Sequence, residues 1–466
     1  MAHSTSQRVT RQIQSLRRQF AQADGLPFST VLAEDLVRQA LRDEEVGGRD
    51  CVFTPMLTLW AFLCQVLCTD GSCRAAVLRV IAFLTARGEE PCSPKTDPYC
   101  KARARLPESL LARLTRATGQ QLHQQAPSHW RLQGRRVKIV DGTTVSMPDT
   151  PDNQKAYPQP KTQQPGVGFP MARLVVVFCL TCATVLDLAV GPCLGKETGE
   201  GALFRTLAGQ LDEEDVLLGD RCFCSYFDVA LLRRRRVHVV LRLHQRRRAD
   251  FRRGRRLGRD DHLVTWTKPK CTDWLDEATY GLLPETLLLR EVRVRVSQRG
   301  FRTQVLVVVT TLLEPAEAPA ADIAELYRAR WQAELDLRAL KVTLDMDVLR
   351  CQSAAMVRKE LWAHLLAYNL VRTQLAQAAQ LHGVTPRELS FTGGLQAFQA
   401  FAEQLLGCRA QQLLGRCRTL LGLMAAYRVG DRPDRYEPRA RKRRPKKYPV
   451  LNRPRAQARA ALLQPS

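Results

Sequence analysis

Arg136-Val-Lys-Ile-Val140 runs into Asp141-Gly-Thr-Thr144, and Val216-Leu-Leu218 runs into Gly219-Asp220. Each is a short apolar strand that stops at a carboxylate. Around them, residues 171–193 (MARLVVVFCLTCATVLDLAVGPC) read as two apolar strands joined by a turn. Residues 201–211 and 225–235 have helical spacing, and 237–243 is a further strand. Near-continuous apolar runs are the pattern of strands buried on both faces, and strands alternating with helices predict an α/β core covered on both sides. Residues 146–170, Pro-rich and without apolar periodicity, are predicted to be a long loop.

Outward from this core the texture changes. Residues 1–125 carry helical periodicity over 10–22, 30–42, 54–68, 73–86 and 108–123, which predicts an all-α N-terminal domain. Residues 126–243 hold the first part of the core. Residues 244–312 break the alternation with β-rich pieces at 262–266, 287–296 and 303–312, read as an insertion. Residues 313–390 return to helix and complete the core, and 391–466 hold further helix and a Pro- and Arg-rich tail.

The chain has 466 residues, 45% of them hydrophobic and 25% charged, which excludes bulk disorder. Its 71 Lys and Arg against 46 Asp and Glu give a formal charge of +25. Two runs, 233–259 and 428–459, hold nearly all of that excess, so the chain reads as a neutral body with two basic patches. That distribution points to a polyanion, nucleic acid above all, rather than to ordinary metabolism. The apolar stretches 52–68 and 174–186 fall short of the ~18–20 residues a membrane span needs, so no membrane association is expected. The 15 cysteines are scattered and read as the reduced thiols of a cytosolic protein. Absence of a GxxxxGK[ST] loop argues against a nucleotide cofactor.

Asp141 and Asp220 stand where open α/β sheets collect functional groups, at the carboxyl ends of strands. A third element follows the insertion: Glu325-Leu-Tyr327-Arg-Ala-Arg330-Trp-Gln-Ala-Glu334, continuing to Lys341. At ~100° per residue, Tyr327, Arg330, Glu334 and Lys341 fall within roughly 60° of one another on one helix face. The plain alternative is a solvated stripe with an Arg–Glu pair worth a few tenths of a kcal/mol.

The ordered set Asp141-Gly-Thr-Thr-Val, Asp220-Arg-x-Phe-x-x-Tyr226 and Tyr327-x2-Arg330-x3-Glu334-x6-Lys341 resembles the signature of DDE transposases of the bacterial insertion-sequence type, the "four" group. Phe53-Thr-Pro-x-x-Thr-Leu-Trp60, Cys92-Ser-Pro, Tyr99-Cys-Lys-Ala-Arg103 and the basic Arg441–Pro449 segment resemble the same group, so the likeness spans nearly the whole chain. The resemblance implies an RNase H-like core with Asp141, Asp220 and Glu334 as a catalytic, metal-binding triad. Three hard oxygen donors suit Mg²⁺, with Mn²⁺ as a substitute. Tyr327, Arg330 and Lys341 would then meet DNA phosphates, Arg as a planar fork and Lys as a point charge. In relatives an aromatic of the insertion stacks on a flipped base. Trp266 is the candidate here and Trp274 the second, for a contact worth ~1–3 kcal/mol.

The function expected is cut-and-paste DNA transposition: cleavage at the terminal inverted repeats of an insertion sequence and joining of the 3′-OH ends to target DNA, by a homodimer in the bacterial cytoplasm at the nucleoid. Two alternatives remain at this point. One is a catalytically inactive DNA-binding protein derived from a transposase, which would have no use for three acids where phosphate must approach. The other is a repair or defence nuclease of the same fold, which the β insertion and the tetrad disfavour.

Overall fold

The computed structural model describes residues 34–46, 51–86, 88–295, 305–406, 410–430 and 450–463. The helix expected over 10–22 and the basic 441–449 segment lie outside them. Helices α1 (Glu34–Asp43), α2 (Pro55–Leu67), α3 (Cys73–Ala86), α4 (Asp97–Arg105) and α5 (Glu108–Gln125) come first. They are followed by β1 (Val137–Ser146), α6 (Pro151–Ala156), β2 (Met171–Cys179), β3 (Val185–Pro192), α7 (Glu200–Leu207), β4 (Val216–Gly219), α8 (Tyr226–Arg234) and β5 (His238–Arg242). The insertion supplies β6 (Arg255–Gly258), β7 (Asp261–Thr267), α9 (Glu277–Gly281), β8 (Thr286–Arg295) and β9 (Val305–Thr310). Helices α10 (Ala320–Ala329), α11 (Trp331–Arg338), α12 (Ala354–His382), α13 (Phe391–Leu406), α14 (Ala410–Ala426) and α15 (Arg455–Leu463) complete the chain.

All nine strands form one sheet in the order β3-β2-β1-β4-β5-β9-β8-β7-β6. β1, β4 and β5 run parallel, and β2 is antiparallel to both β1 and β3. This 3-2-1-4-5 order with β2 reversed is the RNase H-like arrangement that the family resemblance implies. The insertion is not a detached module, because β9 pairs antiparallel with β5 and carries β8, β7 and β6 outward.

Alternation sorts the sheet's side chains into two cores. Ile139, Val176, Leu218 and Val240 face one, with Leu110 and Leu114 of α5, Leu326 of α10 and Leu361 of α12. Val140, Val177, Leu217 and Leu241 face the other, under Phe204 of α7 and Val229 of α8. Burial on both faces is why the strands read as unbroken apolar runs rather than alternating ones.

Local chemistry sets the helix ends. Ser353 caps α12 by accepting from the Met356 amide, and Gly383 ends it in the left-handed region at φ +66. Asn369 on α12 ties three elements together, donating to the Thr115 and Val185 carbonyls and accepting from the Val185 amide. Gly119 lets α5 lie this close, since a β-carbon there would collide with the Val185 carbonyl. In the insertion, fully buried Arg290 forks onto Asp261 at 2.6 and 2.8 Å and donates to the Ala318 carbonyl at 2.6 Å, just before α10. That contact fastens the insertion to the helix bearing the tetrad.

Three expectations are corrected. The first strand does not end at Asp141: Gly142 to Ser146 continue it, paired with β2 through Ser146↔Met171. Thr143, Thr144 and Val145 are β-branched and fit a strand, but the half-exposed run lacks the apolar signature of a buried one. Nor is the helix read into 313–390 one unbroken run. It breaks at Arg330, widens to a π-turn over Ala339–Thr343, and leaves the helical path entirely between 344 and 353. Residues 347–349 there pair alongside Ser146 at the end of β1. The loop expected over 146–170 contains α6.

Candidate active site

The register Val137↔Val216, Lys138↔Leu217, Ile139↔Leu218, continued two residues, sets Asp141 beside Asp220. Their strands are neighbours, so parallel pairing alone brings the two carboxylates together. Asp220 leads into a 3-10 turn, Arg221–Phe223, held by the Phe223 amide donating to its carbonyl at 3.1 Å.

The tetrad helices close over them. Arg330 is the joint between α10 and α11, where the Arg330 and Ala333 amides donate to carbonyls three residues back rather than four. Its guanidinium stands 3.0 Å from Glu334 Oε1 and 3.7 Å from Asp141 Oδ2, so one cation bridges two of the three acids. Tyr327 is buried, with Arg330 5.9 Å from its ring centre. Burial raises its hydroxyl to about 12, Arg330 opposing and nearby Asp220 adding, so Tyr327 stays a neutral donor.

The ideal-helix spacing fails for Lys341. The π-turn aims its ammonium at the Thr144 carbonyl of β1, 2.9 Å away, and at Asp347, 2.8 Å away, instead of in line with Glu334. Trp266 is 5% exposed. Its indole N–H donates to Glu291 at 3.3 Å, and the Arg247 guanidinium covers its ring at 3.9 Å. Trp274 carries Arg205 at 3.5 Å over its ring. A base would therefore reach either ring only by displacing an arginine. In the 233–259 run, Arg252 and Arg253 project with side chains 91% and 86% exposed, while Arg247 is engaged with Trp266.

Two residues escaped sequence reading. Glu200, the first residue of α7, brings a further carboxylate against Gly142, beside Asp141. Asp336, two residues past Glu334, points away from the site and is fully buried between Arg372 and Arg387, at 3.0 and 2.9 Å. An acid opening the helix after β3, and an acid on the apolar side of the tetrad helix, were the available signals.

Burial lifts the Asp141 carboxyl to about 6. Glu334 and Glu200 push the same way, while the Gly142 amide and Arg330 pull it down. A raised folded-state pKa stabilises the fold below the unfolded value near ~3.9, and that contribution is lost as pH climbs through about 6. In EDTA, Asp141→Asn is expected to raise unfolding free energy at neutral pH by on the order of 2 kcal/mol. It should also flatten the decline between about pH 4 and 6. Urea denaturation at the two ends of that window reads both; a wild-type-minus-variant difference that stays constant across it would refute the assignment.

Carboxylate oxygens are hard donors of the kind divalent cations take. Elsewhere, among the described residues, His123, Asp212 and Asp215 bring ligand atoms within 4.8 Å of one another. Buried Lys138 already neutralises that pair of acids, at 3.0 Å from Asp212 and 2.7 Å from Asp215. Its role there is structural. Among the described residues no helix is long and apolar enough to cross a membrane, and all described cysteines are free.

Comparison with known proteins gives a consistent picture. The family described as Transposase DDE domain matches residues 132–370. The transposase InsG for insertion sequence element IS4 of Escherichia coli is 28% identical over 357 residues, 75% of this chain and 77% of that protein. A putative transposase, y4zB, of Sinorhizobium fredii is 24% identical over 311 residues, 65% of this chain and 76% of that protein. Among solved structures, a piggyBac transposase synaptic complex with hairpin DNA aligns at a TM-score of 0.41 and 9% identity, over 86% of this chain and 80% of that one.

Proposed function

The chain belongs to the DDE transposase family, and from that premise we propose that it cuts DNA at the ends of its own insertion sequence and joins the freed 3′-OH ends to target DNA. It is a DNA transposase. Two observations support the finer reading: parallel pairing sets Asp141 beside Asp220, and the Arg330 guanidinium links Asp141 to Glu334.

In this reading Asp141, Asp220 and Glu334 hold Mg²⁺, or Mn²⁺ in its place. When bound, the metal supplies activation of the attacking hydroxyl and charge stabilisation at phosphorus. The chain's own residues do the rest. Arg330 leaves the two carboxylates it now bridges and forks onto the phosphate of the scissile strand. Tyr327, kept neutral by burial, donates its hydroxyl to that strand. Lys341 offers a point charge from the end of β1. Trp266 receives a flipped base once Arg247 swings away, and Arg247 then remains beside it as a phosphate contact. The N-terminal residues 1–125 and the basic tail grip the element ends, and two copies pair those ends as a homodimer. The place of action is the bacterial cytoplasm, at the nucleoid, where the DNA is.

The test is a cleavage assay on duplex DNA carrying the element's own terminal repeat, in Mg²⁺ and in EDTA, with Asp220→Ala beside the wild type. Metal-dependent cutting at the element boundary, absent in the variant, is the expected result. Tight end-binding without cutting in Mg²⁺ or Mn²⁺, alike in both proteins, would favour a non-catalytic binder.

A further inference from the structure

We propose that Glu200 is a fourth carboxylate of the catalytic centre, a ligand shared with Asp141 and Asp220 by the divalent cation. The inference rests on the metal-dependent reading above and adds to it a residue outside the triad.

Glu200 opens α7, on the face of the sheet opposite α5 and α12. Its carboxyl group lies directly over Gly142, where a β-carbon at 142 would collide with it. The glycine after the first acid is thus the space Glu200 occupies. Oε2 accepts from the Cys222 thiol at 3.4 Å, and Cys222 is two residues beyond Asp220. One carboxylate therefore touches the segments that carry both strand-end acids.

The plain reading of an acid at a helix start is compensation of the backbone dipole. It explains why an acid suits position 200. It does not explain why the side chain turns onto β1, towards like charges, when solvent is open to it. Among the described residues Glu200 forms no salt bridge to a lysine or arginine, and Arg330 is already shared by Asp141 and Glu334. Converging carboxylates without a basic partner are stabilised by a hard cation that takes several oxygens at once. Glu200 adds the fourth such group, on the side of Asp141 and Asp220 next to α7.

The test measures Mn²⁺ binding to the full chain without DNA, by electron paramagnetic resonance titration, for wild type, Glu200→Gln, Glu200→Asp and Asp141→Asn. Glutamine keeps the shape and the thiol contact but not the charge. Glu200→Gln is expected to weaken Mn²⁺ binding about tenfold or more, and to raise the Mg²⁺ concentration needed for half-maximal cleavage in parallel. Glu200→Asp, shorter by one methylene, is expected to fall between. If Asp141→Asn loses the metal while Glu200→Gln binds within twofold of wild type, the Glu200 inference is wrong and the triad reading stands. If wild type binds no Mn²⁺ and cuts equally in EDTA, the metal-dependent reading itself falls. Should Glu200→Gln fail to fold, unaltered binding by Glu200→Asp overturns the inference on its own.

Discussion

Glu334→Gln is expected to lower cleavage of element-end DNA by about 10³-fold or more while leaving binding of that DNA within a few-fold. The substitution changes one oxygen to nitrogen. Volume, helix propensity and the reach to Arg330 are nearly preserved, so α11 should stay where it is. On the proposed reading, what disappears is the third anionic donor to the metal. The reacting phosphate then loses both a fixed charge arrangement and the group that completes it, and each ~1.4 kcal/mol lost at the transition state costs a factor of ten. Binding moves the other way or not at all, since removing a negative charge beside phosphate relieves repulsion and releases Arg330 from one of its two partners. Gel-shift and single-turnover cleavage on the same duplex separate the two effects. A variant that cuts within tenfold of wild type would remove Glu334 from the centre.

The second large effect lies on the other side of the same helix. Asp336 is fully buried and accepts from the Tyr368 hydroxyl at 3.1 Å, Arg372 at 3.0 Å and Arg387 at 2.9 Å. Arg387 also holds the Leu180 and Cys179 carbonyls at the end of β2. Asp336→Ala leaves Arg372 buried and Arg387 half-buried without their counter-charge, and the expected loss is about 3–5 kcal/mol by urea denaturation. Where the variant is still folded, cleavage should drop by about 10²-fold, because Glu334 is only two residues away and a small displacement of α11 spoils its aim. Asp336→Asn, which keeps the acceptor but not the charge, should lie between. A loss below about 1 kcal/mol for the alanine variant would mean that water reaches the two arginines after all.

Much of this molecule can be read from its chain, and the parts that cannot share a physical cause. Strands β1, β2, β4 and β5 were visible because burial on both faces forces apolar residues at every position. The two aspartates were visible because they interrupt those runs. The insertion's strands were visible one by one, but not their pairing with β5, since nothing in an apolar run names its neighbour. Lys341 went astray because helical spacing assumes an unbroken helix, and a π-turn inserts its extra residue without altering composition. Trp266 was legible as an aromatic on a strand but not as one already covered by Arg247, which lies 19 residues earlier across a turn and a short strand. Glu200 was silent for a different reason: a lone acid at a helix start looks the same whether it faces water or a catalytic carboxylate.

The pairing of β5 with β9 bears on how such an insertion can be gained or shed. Trimming the chain from the end of β5 to the start of α10 would strip β5 of β9, its partner over Val240–Arg242, and leave it paired on the β4 side alone. Its amides and carbonyls would face solvent as an adhesive border, and the hydrophobic Val239–Leu241 stretch would sit on that border. The buried Arg290 clasp would vanish with it, freeing the start of α10. A shortened form is therefore expected to precipitate before it can be assayed, and lineages that lack the insertion must seal the same border with some other strand, helix or row of charges.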